Sequence, residues 1–286
     1  MNRIRLNPRW TEKIAFFGLF ISTLLILIPI FLILAIIVKN GLPALKWEFV
    51  SAYPRMGMRA GGIFPAIVGT FYLVAGTLAF TLPVGILAAI YLSEYARDHW
   101  LKRLVELAIV NLAGVPSVVY GLFGLGLFVI FLKFGASILA GALTLSIESL
   151  AVIITSSREA LGTVPKSFRE VSLALGATKW QTIRRAVLPN ALPGILTGTI
   201  LALSRAAGET APILFTVAAF YLPRLPQSVF DQCMALPYHL YVISTQVPNV
   251  KLSIQYGTAL VLILLVLAMN IVAIVIRARF RKRKLW

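Results

Sequence analysis

Apolar residues run through this chain of 286 residues in six long blocks, at about 14–38, 66–92, 104–132, 136–156, 194–220 and 254–276. Each is long enough to cross the roughly 30 Å hydrocarbon core of a bilayer as a helix. None shows the short two-residue alternation of a membrane strand, and a helix satisfies its own backbone hydrogen bonds in lipid. The pattern predicts an all-α membrane protein with six transmembrane helices. It divides the chain into an N-terminal segment, 1–13, a six-helix domain, 14–276, and a polar tail, 277–286.

Between the fourth and fifth blocks, residues 157–193 form a polar island. Pro165 suits a first helical turn, after which Phe168, Val171 and Leu175 share one face. Gly176 then stands where a helix is capped at its C-terminus. Thr178-Lys179-Trp180-Gln181 has the spacing of a capping box that opens a second helix, with Trp180, Ile183 and Val187 on its apolar side. Pro189 disfavours continuation. The island therefore reads as helix, glycine turn, helix, closed at Leu188-Pro189.

Glycine and proline punctuate the rest. Pro83 and Gly85 predict a kink or close helix contact in the second block, and Gly114, Pro116, Gly121, Gly124 and Gly126 predict close packing in the third. The connection at 40–65 is rich in both residues. The one at 221–253 holds Pro223, Pro226, Pro237 and Pro248 around an apolar piece, Met234 to Ile243, too short to span and expected to be re-entrant or interfacial.

Composition excludes a soluble domain, because 59% of residues are hydrophobic and 13% charged, with mean hydropathy +0.89. A net charge of +17 raises nucleic acid as a partner, but its distribution argues against that. Of 27 Lys and Arg, 19 lie in 1–13, 93–103, 157–193 and 277–286, which share a side if six spans alternate; the other side holds 7, and Arg205 lies within a block. This positive-inside bias puts both termini and the island in the cytoplasm. It makes the tail a stop-transfer signal and an anchor to anionic membrane lipid. The first block is too long for a signal-peptide core and is kept as a span. Cys233 is alone, which rules out an intrachain disulfide, and it is expected outside or at the interface. His239 is expected at the interface, and no metal site is expected.

No Gly-x-x-x-x-Gly-Lys-Ser/Thr phosphate loop, Gly-x-Ser-x-Gly elbow or His-Glu-x-x-His helix occurs, so no catalytic residue is assigned. The chemistry concentrates instead on Arg205 and Glu209, spaced i, i+4 in the fifth block. A charge at that depth costs about 2.5–3.5 kcal/mol on insertion scales, so two within a turn are expected to avoid lipid. They form either a structural pair or a substrate-contacting cation with an acidic partner. Gly194, Gly198 and Ala202 let another helix approach on roughly the same side, and Pro212 frees the carbonyl of Gly208. A guanidinium fork matches an oxyanion, and a carboxylate beside it orients the fork, limits overly tight binding and accepts from the protonated oxygen of hydrogen phosphate. Glu148, within the fourth block, is expected to pair with Arg205 or with a residue of a partner, or to face an aqueous path, and the sequence does not choose among these; Glu94 and Glu106 are expected in salt bridges at the basic rim.

Glu170, Gly176 and Leu188-Pro189 keep the spacing of the EAA loop and so resemble ABC-importer permeases. Val171 and Ser172 replace its alanines, and Ala186 its isoleucine. The segments Gly61-Gly62-Ile63-Phe64-Pro65-Ala66-Ile67-Val68-Gly69-Thr70 and Ala207-Gly208-Glu209-Thr210-Ala211-Pro212 look like the A-type permease subunit of phosphate-specific transporters, a likeness covering roughly 60–275. The resemblance implies a type I importer bundle in a bacterial or archaeal inner membrane. The hairpin becomes a coupling helix, with Glu170, Gly176, Leu188 and Pro189 docking on an ATPase, and Arg205 and Glu209 lie on the substrate pathway. It further implies a second homologous permease subunit, two copies of an ATP-binding subunit that uses ATP and Mg, and an extracytoplasmic phosphate-binding protein. No cofactor is implied in this chain. The alternatives are a permease for molybdate or sulfate, a secondary transporter or channel subunit, and a non-transporting assembly subunit.

Overall fold

A computed structural model describes residues 8–281. In chain order the elements are α1 (Pro8–Gly41), α2 (Trp47–Ser51), β1 (Pro54–Arg55), β2 (Ala60–Gly61), α3 (Phe64–Ile90), α4 (Trp100–Ala113), α5 (Ser117–Gly124) and α6 (Ile138–Gly162). Then follow α7 (Lys166–Ala174), α8 (Lys179–Thr182), α9 (Leu188–Gly208), α10 (Ala211–Thr216), α11 (Leu236–Thr245) and α12 (Leu252–Arg281). The two short strands pair antiparallel, Pro54 with Gly61 and Arg55 with Ala60.

Among the described residues, five continuous helical stretches are long and apolar enough to cross a membrane, and the bent pair α4–α5 makes a sixth if it is one span. They are not equivalent. In α6, 67% of the apolar window is buried, against 11% in α12 and none in α1. Phe16, Phe17 and Leu25 of α1 are each exposed by 65% or more, a surface that only lipid solvates well. The centre is α6, clasped by α3 and α9. Small residues allow the clasp: a Cβ on Gly85 would land 2.5 Å from Ile153 Cγ2, and one on Gly198 would overlap the Ser156 hydroxyl. Several buried hydroxyls are satisfied by the helix backbone, although that of Ser157 has no partner among the described residues. Thr70, Thr77 and Thr81 donate to carbonyls one turn back, and Ser146 crosses from α6 to the Thr77 carbonyl at 3.1 Å. Ile90, Leu161, Val164, Ile183 and Val187 pack beneath the hairpin at the basic end. Phe49, Ile63, Leu236 and Ile243 pack in a separate cluster.

The third apolar block is an elbow rather than a straight span, with α4 and α5 meeting at 105°. Gly114 closes α4 by donating to the Asn111 carbonyl, and Pro116, in extended geometry, opens α5. The Tyr120 hydroxyl ties the corner by donating to the Leu112 carbonyl at 2.6 Å. A wide π turn, Leu125–Phe131, completes the element.

The fifth block is displaced. Helical structure begins in the hairpin at Lys179 and runs to Gly208, so Leu188-Pro189 opens α9 instead of closing the island. A π turn at Ile183–Val187 precedes Pro189, which sits in the first turn of α9. Pro212 likewise starts α10 rather than bending a continuous helix. The apolar piece of the 221–253 connection folds as α11 and tucks Leu236, His239, Val242 and Ile243 into the bundle. His239 is thus inside, not at an interface. Cys233 is also buried, contrary to expectation, because Ala218 and Cys233 form a short parallel bridge. Burial pushes its thiol up to about 12.

Candidate functional site

Arg205 lies in the last turn of α9, where the carbonyl end of a helix favours a cation. The helix stops because Glu209 turns extended, at φ −69° and ψ 132°, while its N–H still donates to the Arg205 carbonyl at 3.1 Å. Its side chain returns to the same residue: Arg205 Nε donates to Glu209 Oε1 at 3.1 Å. A third group comes from α6, where Glu148 Oε1 accepts from Arg205 Nη2 at 2.7 Å. Glu148 stands roughly 15 Å along α6 from its start at 1.5 Å per residue, which places the cluster at mid-depth of the bundle.

The three side chains differ in access: 37% exposed for Arg205, 18% for Glu209 and 2% for Glu148. Arg205 Nη1 has no hydrogen-bond partner among the described residues, and neither does Glu148 Oε2, which is buried. One guanidinium is therefore shared by two carboxyl groups while one of its arms stays open. The sequence anticipated that Arg205 and Glu209 meet. Glu148, for which the sequence left the partner open, is brought onto Arg205 from 57 residues away.

At the basic end, Gly176 joins α7 to α8 with φ +83°, a conformation that side chains with a Cβ disfavour. The capping box forms: Gln181 N–H donates to Thr178 Oγ1 at 3.3 Å, and Thr178 N–H to Gln181 Oε1 at 2.8 Å. Glu170 and Gly176 are exposed on the hairpin, whereas Leu188 packs on the core beneath it and Pro189 sits in the first turn of α9. The four motif positions thus divide between the hairpin and the root of the helix that carries Arg205.

The rim carboxylates have definite partners. Arg169 Nε donates to Glu94 Oε1 and Oε2 at 3.1 and 3.2 Å, and Nη2 donates to Oε1 at 2.6 Å. The remaining donors of Arg169 reach the Val164 and Leu161 carbonyls at 2.9 and 3.0 Å. Glu94 belongs to the π turn that ends α3, so this arginine locks the hairpin to α3. Arg158 bonds Glu106 at 2.5 Å. Only the type of interaction, not these partners, was readable in the sequence.

A transmembrane bundle with an EAA-spaced hairpin defines a membrane component of an importer. Residues 81–285 match the family described as binding-protein-dependent transport system inner membrane component, and the chain belongs to that family of ABC-importer permeases. It is 34% identical to phosphate transport system permease protein PstA 1 of Mycobacterium tuberculosis, over 99% of this chain and 92% of the relative. It is 33% identical to probable ABC transporter permease protein YqgI of Bacillus subtilis (strain 168), over 94% and 95%. Among solved structures, a chain of a bacterial alginate importer superposes with TM-score 0.68 at 15% identity, covering 95% of this chain and 99% of that one. A chain of the MetNI methionine transporter gives 0.56 at 17% identity, covering 77% and 94%. These two share the fold of type I importer permeases.

Proposed function

We propose that this chain forms half of the translocation pathway of an ATP-driven importer of inorganic phosphate. The observation that carries the reading is Arg205, held at mid-depth between Glu148 and Glu209 with Nη1 unpartnered and its side chain partly exposed. An arginine so placed does not face lipid; it faces a polar path shared with a second permease subunit. Guanidinium donors fit phosphate oxygens, and a neighbouring carboxylate can accept from the protonated oxygen of hydrogen phosphate, which sulfate lacks. Relatives named as phosphate permeases, similar over nearly the whole chain, support the same substrate.

The basic segments and the hairpin face the cytoplasm, with both termini there. A groove of about 420 Å³ between Phe168, Val171, Ser172, Leu175 and Ala186 takes part of a separate ATPase, two copies of which bind and hydrolyse ATP with Mg. Leu175, 83% exposed, offers it an apolar contact. ATP binding draws the ATPases together, the hairpins follow, and the helical stretch from Lys179 to Gly208 carries the motion to Arg205. The pathway opens outward, where an extracytoplasmic binding protein delivers phosphate; hydrolysis restores the inward state.

Reconstitution with the second permease subunit, the ATPase and the binding protein tests this. Labelled phosphate should enter proteoliposomes only with ATP. Uptake of molybdate or sulfate in preference to phosphate would replace the substrate, and phosphate flux without ATP would replace the mechanism with that of a secondary transporter or channel.

A further inference from the structure

The two carboxylates on Arg205 are not alike. We propose that Glu148 is the fixed positioning residue of the site and Glu209 a displaceable latch, so that the substrate anion is admitted by taking the place of Glu209 on the guanidinium. The proposal deepens the reading of Arg205 as an anion contact and rests on it.

Three observations separate the roles. Glu148 sits inside α6, the most buried span, with its side chain 2% exposed, so neighbouring side chains restrict its rotamers. Glu209 lies outside regular helix, at the break between α9 and α10, with its side chain 18% exposed. The bond from Arg205 Nη2 to Glu148 is 2.7 Å, in the range of a strong charge-assisted contact, while the bond from Nε to Glu209 is longer, at 3.1 Å. Both carboxyl groups contact the one guanidinium, so two negative groups share a single cation. Of the two, Glu209 is the less confined and the more easily detached.

The donors explain why detachment matters. A bidentate oxyanion needs two parallel N–H groups from one edge of the guanidinium. Nε and Nη2 are each engaged by a carboxylate. An anion arriving at the open Nη1 would meet two carboxylates already sharing that cation. Nη2 carries two N–H groups and Glu148 takes one, so exchange with Glu209 frees Nε to act beside the other and removes one negative charge from contact, while Glu148 keeps the guanidinium aimed. With the path empty, Glu209 closes back on Nε.

The experiment uses the complete importer in proteoliposomes, with assembled complex quantified for every variant. Phosphate uptake gives KM and kcat, and phenylglyoxal modification of the peptide containing Arg205, read by mass spectrometry, reports the freedom of the guanidinium without any substrate. Glu209→Gln replaces a charged acceptor by a neutral one; it should lower KM about fivefold and speed modification by a similar factor. Glu148→Gln should leave the guanidinium poorly aimed, with kcat down about tenfold and KM not lowered. If that variant does not assemble, Glu148→Asp supplies the arm, since it keeps the charge but withdraws the anchor by one methylene. Equal responses at the two positions, or a raised KM with unchanged modification in Glu209→Gln, overturn the proposal. A wild-type importer that moves no phosphate, yet shows the asymmetric modification, defeats the substrate reading and leaves the anchor and latch standing.

Discussion

Arg169 and Arg205 are both arginines paired with glutamate, yet their surroundings differ. Arg169 spends all three nitrogens on protein acceptors: Glu94 and the carbonyls of Leu161 and Val164. Among the described residues, Arg205 leaves Nη1 without a partner and shares two carboxylates, one of which keeps an unpartnered oxygen. A cation with every nitrogen engaged by the protein is a joint. A cation with a nitrogen left open and its side chain 37% exposed has room for a further acceptor. The number of engaged nitrogens separates the two roles better than burial does, since both side chains are partly exposed.

The comparison breaks first at Arg205. Arg205→Lys keeps the charge but loses the fork, and uptake should fall about 30-fold or more in fully assembled complexes. Full uptake by both Arg205→Lys and Arg205→Ala in such complexes would remove this residue from the pathway. Arg169→Ala should do the opposite, destabilising the hairpin end by about 2 kcal/mol and lowering assembly while transport per assembled complex stays near normal. A swap of Glu94 and Arg169 should restore little, because the two carbonyls would lose their donors. Gly176→Val strains a positive-φ turn by about 1–2 kcal/mol. It should weaken co-purification of the ATPase without preventing membrane insertion. The smallest effect concerns Cys233. Its thiol, raised to about 12, gains thiolate only as pH nears that value. A thiol reagent should therefore label native importer negligibly between pH 7 and 9 but denatured chain readily; rapid native labelling would mean that the Ala218–Cys233 bridge opens.

Much of this was legible along the chain because hydropathy reports depth and turn chemistry is local. The six blocks, the glycine turn at Gly176, the capping box at Thr178 and the meeting of Arg205 with Glu209 are all of that kind. The failures have one source in common. Pro189 looked like a stop, but a π turn just before it places the ring in the first turn of a new helix. Pro116 looked like packing punctuation and proved to be the corner of an elbow. Cys233 lies in a loop by pattern yet is buried by a distant strand-like contact. Glu148 could be placed at a depth but not beside a partner, because hydropathy carries no lateral information.

The break after Gly208 has a mechanical consequence. The helical stretch from Lys179 to Gly208 is 30 residues long, a rod of roughly 45 Å at 1.5 Å per residue. Tilting such a rod by about 5° moves its tip about 4 Å. Arg205 rides near that tip, and Glu209, which caps the same helix and donates its N–H to the Arg205 carbonyl, rides with it, while Glu148 stays on α6. A tilt of that size relative to α6 would shift the guanidinium against Glu148 by more than the length of a hydrogen bond. The hairpin and the site thus sit at the two ends of one rod, joined to α6 at the Arg205–Glu148 contact.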